Sequence, residues 1–180
     1  MGTLTSNEIN KDKNLIFLVG FMGCGKTTLG KKVAQKTGYS FIDLDELITQ
    51  QIGTTITQYF ETFGEAAFRQ IEKETLHSLK DENHAIIATG GGTPCHFENM
   101  EWMNQHGKTI YIKLSPKALL SRLSQTEIET RPLLIGKSNE ELLEFITPKL
   151  EERKPFYSQA KIVFDALQST PKDLIKQIIL

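Results

Sequence analysis

The most restrictive feature of this chain is a glycine-rich turn, Gly20-Phe21-Met22-Gly23-Cys24-Gly25-Lys26-Thr27, which joins an apolar run at 15–19 to a stretch with helical spacing. The run Leu-Ile-Phe-Leu-Val is of strand length and has no polar face, so it reads as a strand buried on both sides of a parallel sheet. Beyond the turn, Leu29, Val33 and Ala34 recur at helical spacing, and Thr37-Gly38 supplies a stop. The turn satisfies G-x-x-x-x-G-K-[ST] in the context its mechanism needs, after a strand and at the start of a helix. Its glycines let successive N–H groups converge on phosphate oxygens, and the helix N-terminus adds about half a positive charge at the same point. Lys26 would then bridge the β- and γ-phosphates of a nucleotide, and the Thr27 hydroxyl would ligate Mg²⁺. Cys24 occupies a variable position and reads as a small filler rather than a nucleophile.

A length of 180 residues is enough for one sizeable core, so 1–180 is read as a single domain. With 21 Lys+Arg against 22 Asp+Glu the net charge is −1, which leaves no global field for nucleic acid or anionic membrane. Any anion binding must be local. No apolar run reaches the ~20 residues of a bilayer span, and the polar, aperiodic start at 1–13 reads as a flexible tail without a signal-peptide core, so the expected address is the cytoplasm. The 2 cysteines are too few for a disulfide framework, and the 4 histidines fall at irregular spacings that do not build a metal cage.

The strand-then-helix alternation recurs at 39–42, 85–88, 109–114 and 161–164, giving five strands in an α/β architecture. Ser115-Pro116 and Thr170-Pro171 put a capping hydroxyl before proline at the first helical position, and Ser138 to Glu141 has capping-box spacing. Residues 44–80 read as a helical insertion with turns at Gly53 and Gly64. Residues 123–137, polar and interrupted by Arg131-Pro132 and Gly136, read as a lid loop. Thr147-Pro148 predicts a kink, or a fresh helix start with Thr147 as cap.

Candidate acceptor residues are less specific one by one. Asp43 and Asp45 end the second strand, where a parallel sheet borders its ligand crevice; one could serve the metal's water shell and the other an acceptor hydroxyl, or Asp45 could simply cap the next helix. Arg69 is equally a surface arginine paired with Glu65 or Glu72. Gly90-Gly91-Gly92 costs backbone entropy and makes sense where a ligand touches the main chain, although a plain turn uses the same residues.

Taken in order, these motifs resemble the shikimate kinases, small enzymes related to the nucleoside monophosphate kinases. The resemblance runs from Asn14 to the C-terminus through Gly25-Lys26-Thr27, Asp43-x-Asp45, Phe68-Arg69, Gly90-Gly91-Gly92, Arg131-Pro132-Leu133-Leu134, and Arg153 before Pro155-Phe156-Tyr157. It implies a three-layer α/β/α P-loop kinase fold with a five-stranded parallel sheet in the order 2-3-1-4-5. It also implies ATP-dependent phosphorylation of the 3-hydroxyl of shikimate, with Lys26, Asp45 and Arg131 as the catalytic set.

On the same resemblance, Gly23, Cys24, Gly25, Lys26, Thr27, Thr28, Arg122, Arg131 and Pro171 would contact ATP, with Arg122 and Pro171 beside adenine unless Arg122 is an ordinary helix-surface cation. Asp45, Phe60, Phe68, Arg69, Glu72, Gly90, Gly91, Gly92 and Arg153 would hold shikimate, the two arginines gripping its carboxylate, although plain helix packing would also account for the two phenylalanines. Thr27, and Asp43 through water, would hold Mg²⁺. The implied partners are ATP and shikimate alone, with no nucleic acid or membrane, and the chain is expected to be a monomer. The rivals are a kinase of the same fold acting on another small acceptor, and a nucleotide-binding module that transfers nothing.

Overall fold

Five parallel strands, β1 (Leu15–Val19), β2 (Ser40–Asp43), β3 (Ala85–Ala88), β4 (Lys108–Lys113) and β5 (Ile162–Asp165), form one sheet in the order β2-β3-β1-β4-β5 in the computed structural model, which describes residues 14–125 and 136–179. The order is the one the family resemblance implies. Every residue of β1 and β3 is buried, as their unbroken apolar sequences require of inner strands. In register, Phe17 of β1 lies between Ile87 of β3 and Thr109 of β4.

Helices cover both faces: α1 (Lys26–Thr37), α2 (Leu44–Ile52), α3 (Ile56–Ser78), α4 (Asn99–His106), α5 (Pro116–Gln125), α6 (Asn139–Tyr157) and α7 (Pro171–Ile179). α1 packs with α7, and α5 with α6. The chain passes from β1 to β2 on one side and crosses from β3 to β4 on the other, so the strand ends around β1 form the crevice in which open α/β sheets place their ligands.

Between β2 and β3 the chain is helical, and its breaks fall on glycine. Gly53 closes α2 in the left-handed region (φ 67°), and α3 kinks at Gly64 (φ 81°, ψ 170°). The Ser138–Glu141 capping box that opens α6 is present, with both reciprocal bonds made.

Two expectations are corrected. α6 runs through Pro148 without a break or a second start. The face that packs is Leu142, Ile146 and Leu150, spaced four apart and buried, whereas Thr147, Pro148 and Glu144 are exposed. The carbonyl of Glu144, which would bond the N–H that Pro148 lacks, therefore faces water, and packing of the opposite stripe holds the axis. The lid assigned to 123–137 starts too early: 123–125 belong to α5, and Leu123 is fully buried. A Cβ on Gly23 would meet a Leu123 methyl at 2.6 Å, so Leu123 buttresses the glycine-rich turn. Residues 126–135 and the tail 1–13 lie outside the described residues.

Far from the turn, Trp102 of α4 is stacked between His77 and His106, with ring centroids 4.4 and 4.1 Å away, and meets the edge of Phe17. Burial is the main reason His77 stays below the usual imidazole range.

Candidate active site

The glycine-rich turn closes on itself as a cradle. Cys24 N–H donates to the Phe21 carbonyl at 3.2 Å, and Gly25 begins α1 with φ 98°, a conformation only glycine takes cheaply. Lys26 is buried and folds back across the turn, Nζ donating to the Gly20 and Phe21 carbonyls at 2.8 and 3.1 Å. Its ammonium is thereby held against the backbone of the turn, and among the described residues no carboxylate forms an ion pair with it. The Cys24 side chain is buried and packs inward as a filler.

Beside the cradle, the Thr27 hydroxyl donates to Asp43 Oδ2 at 2.8 Å. The other oxygen, Oδ1, accepts from the N–H groups of Asp45 and Glu46 and caps α2, which starts at Leu44. The cap is thus Asp43 and not Asp45, because the helix begins at Leu44, two residues earlier than a start at Glu46. That frees the Asp45 side chain for the crevice. Asp45 is exposed by its own surface, but it stands in a concave site where protein displaces much of its water. This desolvation, with the like charge of Asp43, raises its carboxyl to about 6 against the pull of Lys26. Thr27 and Asp43 together present adjacent hard oxygen donors, a pairing that fits a divalent cation such as Mg²⁺.

Gly90-Gly91-Gly92 leaves β3 and passes between these groups and the arginines. A Cβ on Gly90 would lie 2.9 Å from Asp45 Oδ1; on Gly91, 3.2 Å from Arg153 Nη1 and 3.4 Å from Met22 N; on Gly92, 2.7 Å from Arg69 Nη2. The triplet is therefore the place where the acid, both arginines and the glycine-rich turn converge. Arg69 donates to Glu72 Oε2 at 2.8 Å and to Glu65 Oε1 at 3.1 Å, so the helix-surface pairs foreseen from spacing exist alongside its place in the crevice. Its guanidinium also lies against the rings of Phe60 and Phe68 at 5.8 and 5.3 Å. The Phe60 ring is folded over Phe68, 4.5 Å between centroids. Glu72 is 1% exposed, and its other oxygen accepts from the Thr93 hydroxyl at 2.6 Å. Arg153, on α6, rests over the Phe21 ring at 5.5 Å.

A second cleft, of about 350 Å³, opens on the outer side of the cradle and is lined by Gly23, Cys24, Gly25, Thr28, Arg122 and Pro171, among others. Arg122 donates to the Cys24 carbonyl at 2.7 Å, which fixes α5 to the turn. Of the described residues assigned to ATP, Gly23, Cys24, Gly25, Thr28, Arg122 and Pro171 line this cleft, whereas Lys26 and Thr27 do not and face the Gly20–Phe21 carbonyls and Asp43 instead; those assigned to shikimate gather at the glycine triplet. Arg131 lies outside the described residues.

Several neighbours escaped sequence reasoning. Thr93, Phe21 and Met22 border the site, and Tyr157, fully buried, donates to the Gly91 carbonyl at 2.6 Å. His96, just past the triplet, is kept below the usual imidazole range first by burial and then by Arg69. Only Tyr157 carried a signal, its place one helical turn after Arg153.

Comparison with known proteins shows the family. A family profile described as Shikimate kinase matches residues 22–180. A shikimate kinase of Parabacteroides distasonis is 50% identical over 151 residues, covering 84% of this chain and 87% of that protein. The crystal structure of shikimate kinase from Bacteroides thetaiotaomicron is 41% identical and superposes with a TM-score of 0.85 over 92% of this chain and 96% of that one. A shikimate kinase from Acinetobacter baumannii, solved in complex with shikimate, is 33% identical with a TM-score of 0.78 over 93% and 91%. With the order β2-β3-β1-β4-β5, the cradle, and two arginines meeting at a glycine triplet, this chain belongs to the shikimate kinase family.

Proposed function

We propose that the chain phosphorylates the 3-hydroxyl of shikimate at the expense of ATP, through the residues gathered around Gly90-Gly91-Gly92. ATP lies in the cleft between α5 and the cradle, with Arg122 and Pro171 beside the base and the loop from Gly23 to Thr28 around the phosphates. Shikimate lies across the triplet, its carboxylate between Arg69 and Arg153. Phe60 and Phe68 wall its ring, and Glu72 steadies Arg69.

Phosphoryl transfer asks a protein chiefly to align donor and acceptor and to neutralise charge that spreads over the transferred group. Lys26 exchanges the carbonyls of Gly20 and Phe21 for phosphate oxygens. Asp45 orients the attacking hydroxyl and accepts its proton, a task its raised pKa suits. Thr27, with Asp43 through water, would hold Mg²⁺, which when bound offsets phosphate charge. Arg131 is assigned to the phosphates on the family resemblance alone. The working unit is one domain acting as a monomer in the cytoplasm, with residues 44–80 as the acceptor-binding insertion and no nucleic acid or membrane partner. Among the described residues no helix is long and apolar enough to cross a membrane.

The observation that carries this reading is the position of Gly91, whose Cβ site is within contact distance of both Arg153 Nη1 and the backbone of the cradle. An acceptor held there is next to the phosphate site. The test is to follow ADP while the purified chain meets ATP, Mg²⁺ and, in turn, shikimate, gluconate or a nucleoside monophosphate. Shikimate-dependent ADP is expected; stimulation by another acceptor, or by none, sinks the reading.

A further inference from the structure

Three consecutive glycines have more backbone freedom than any other tripeptide, so a site built on them needs something to hold them still. Here each carbonyl is taken. Gly90 O accepts from Thr93 N–H at 3.3 Å, and Gly92 O from Cys95 N–H at 2.9 Å, both within the turn that follows. Gly91 O has no such local partner. It accepts instead from the Tyr157 hydroxyl at 2.6 Å, across 66 residues of chain.

Tyr157 is fully buried, with its ring against Tyr111 at 5.1 Å between centroids. A phenylalanine would fill the same space, so packing alone does not call for the hydroxyl. Tyr157 also follows Arg153 by one turn of α6, on the same face, with its hydroxyl close enough to the Arg153 guanidinium to feel its charge. One phenol thus sits beside the arginine that faces the acceptor and holds the glycine that separates that arginine from the cradle.

We propose that Tyr157 is a positioning residue for the acceptor: by holding the Gly91 carbonyl, its hydroxyl sets the Gly91–Gly92 peptide and the spacing between the carboxylate clamp and the phosphate loop. The peptide is planar and trans, so fixing its carbonyl on one side aims the Gly92 N–H to the other. Without the hydroxyl, the plane turns freely and Arg153 loses a lateral support. The inference rests on the proposed acceptor site and adds to it a residue that does not touch the ligand.

The test compares Tyr157→Phe with a matched control, Tyr111→Phe, which removes a hydroxyl from the same ring pair without touching the triplet. Steady-state rates with ATP, Mg²⁺ and shikimate, together with thermal melting, are measured for both and for the natural chain. Tyr157→Phe is expected to raise KM for shikimate about tenfold, to change KM for ATP less than twofold and to melt within a few degrees of the natural chain, with Tyr111→Phe unchanged. A shikimate KM that does not move overturns the assignment. So does a rise in both KM values with a lower Tm, or a Tyr157→Phe chain that does not fold, because the hydroxyl is then a structural strut. A natural chain that ignores shikimate overturns the functional reading along with it, whereas normal turnover in both the natural chain and Tyr157→Phe removes Tyr157 alone.

Discussion

Gly92 and Arg69 are packed so closely that a methyl group on residue 92 would come within 2.7 Å of Nη2 and 3.0 Å of Cζ of the guanidinium. Arg69 has little room to retreat, being bonded to Glu65 and Glu72 and backed by two phenylalanine rings. Gly92→Ala should therefore displace the guanidinium and raise KM for shikimate about tenfold or more, equivalent to ~1.4 kcal/mol. KM for ATP should hardly change. Steady-state kinetics with each substrate varied in turn decides it; an unaltered shikimate KM would remove the glycine from the acceptor site.

Asp45 should impose an acid limb on turnover. Its carboxyl titrates near 6, so the fraction able to accept a proton falls as pH drops through that value, and kcat at pH 5 should be roughly a tenth of its plateau. Stability runs the other way. Because the folded pKa is raised above the unfolded 3.8, the folded chain binds more protons between about 4 and 6, and ionised Asp45 destabilises it fully above that range. Asp45→Asn should then cut kcat strongly yet gain about 1 kcal/mol at pH 7.5, after allowance for solvent at this open site, and the gain should vanish below pH 4. Melting curves at the two pH values test the sign.

Glu72 holds two partners from a buried position, and truncation would leave the Thr93 hydroxyl and one side of Arg69 without theirs. Glu72→Ala should cost about 3 kcal/mol, a fall of roughly 6–12 °C in Tm for a chain of this size. Calorimetry that finds less than a 2 °C change would reduce Glu72 to a surface partner of Arg69.

Arg122 distinguishes a nucleotide contact from a helix-surface cation. It donates to the Cys24 carbonyl and lines the cleft beside Gly25 and Pro171. Arg122→Ala is expected to raise KM for ATP several-fold, about 1 kcal/mol, and to leave KM for shikimate alone. Equal effects on both substrates would mean a general loosening of α5.

Lys26→Ala should remove turnover by a factor of about 10² to 10³ or more, since the ammonium acts on charge that develops in transfer. Single-turnover assays at saturating ATP would show whether the loss lies in chemistry; activity within tenfold of the natural chain would exclude Lys26 from it.

Much of this was legible because its signals are local. The cradle is eight consecutive residues bounded by an apolar strand and a helix, and the capping box at Ser138 and Glu141 acts across three positions. The triplet is conspicuous because glycine runs are costly. What could not be read locally was decided by packing. Pro148 carries a strong helix-breaking signal, but the buried stripe of Leu142, Ile146 and Leu150 outweighs one lost hydrogen bond on the wet side. Leu123 looked like the start of a polar loop until Gly23, a hundred residues earlier, provided its contact. Asp43 and Asp45 compete for one cap, and a two-residue shift of the helix start decides between them. Tyr157 was visible as a neighbour of Arg153 in the sequence, but its role was not, because its partner is a backbone carbonyl, which no side-chain pattern encodes.

The histidine-flanked Trp102 has a practical corollary. It is the chain's 1 tryptophan, so intrinsic emission comes from one indole, and the helix that carries it leads into the start of β4, at the opposite end of the sheet from the strand tips that border the crevice. An optical signal on adding substrate would have to travel through Phe17 and the central strand, whereas a signal on acidification can arise on the spot, as His77, stacked on the indole and held neutral by burial, gains charge and quenches it.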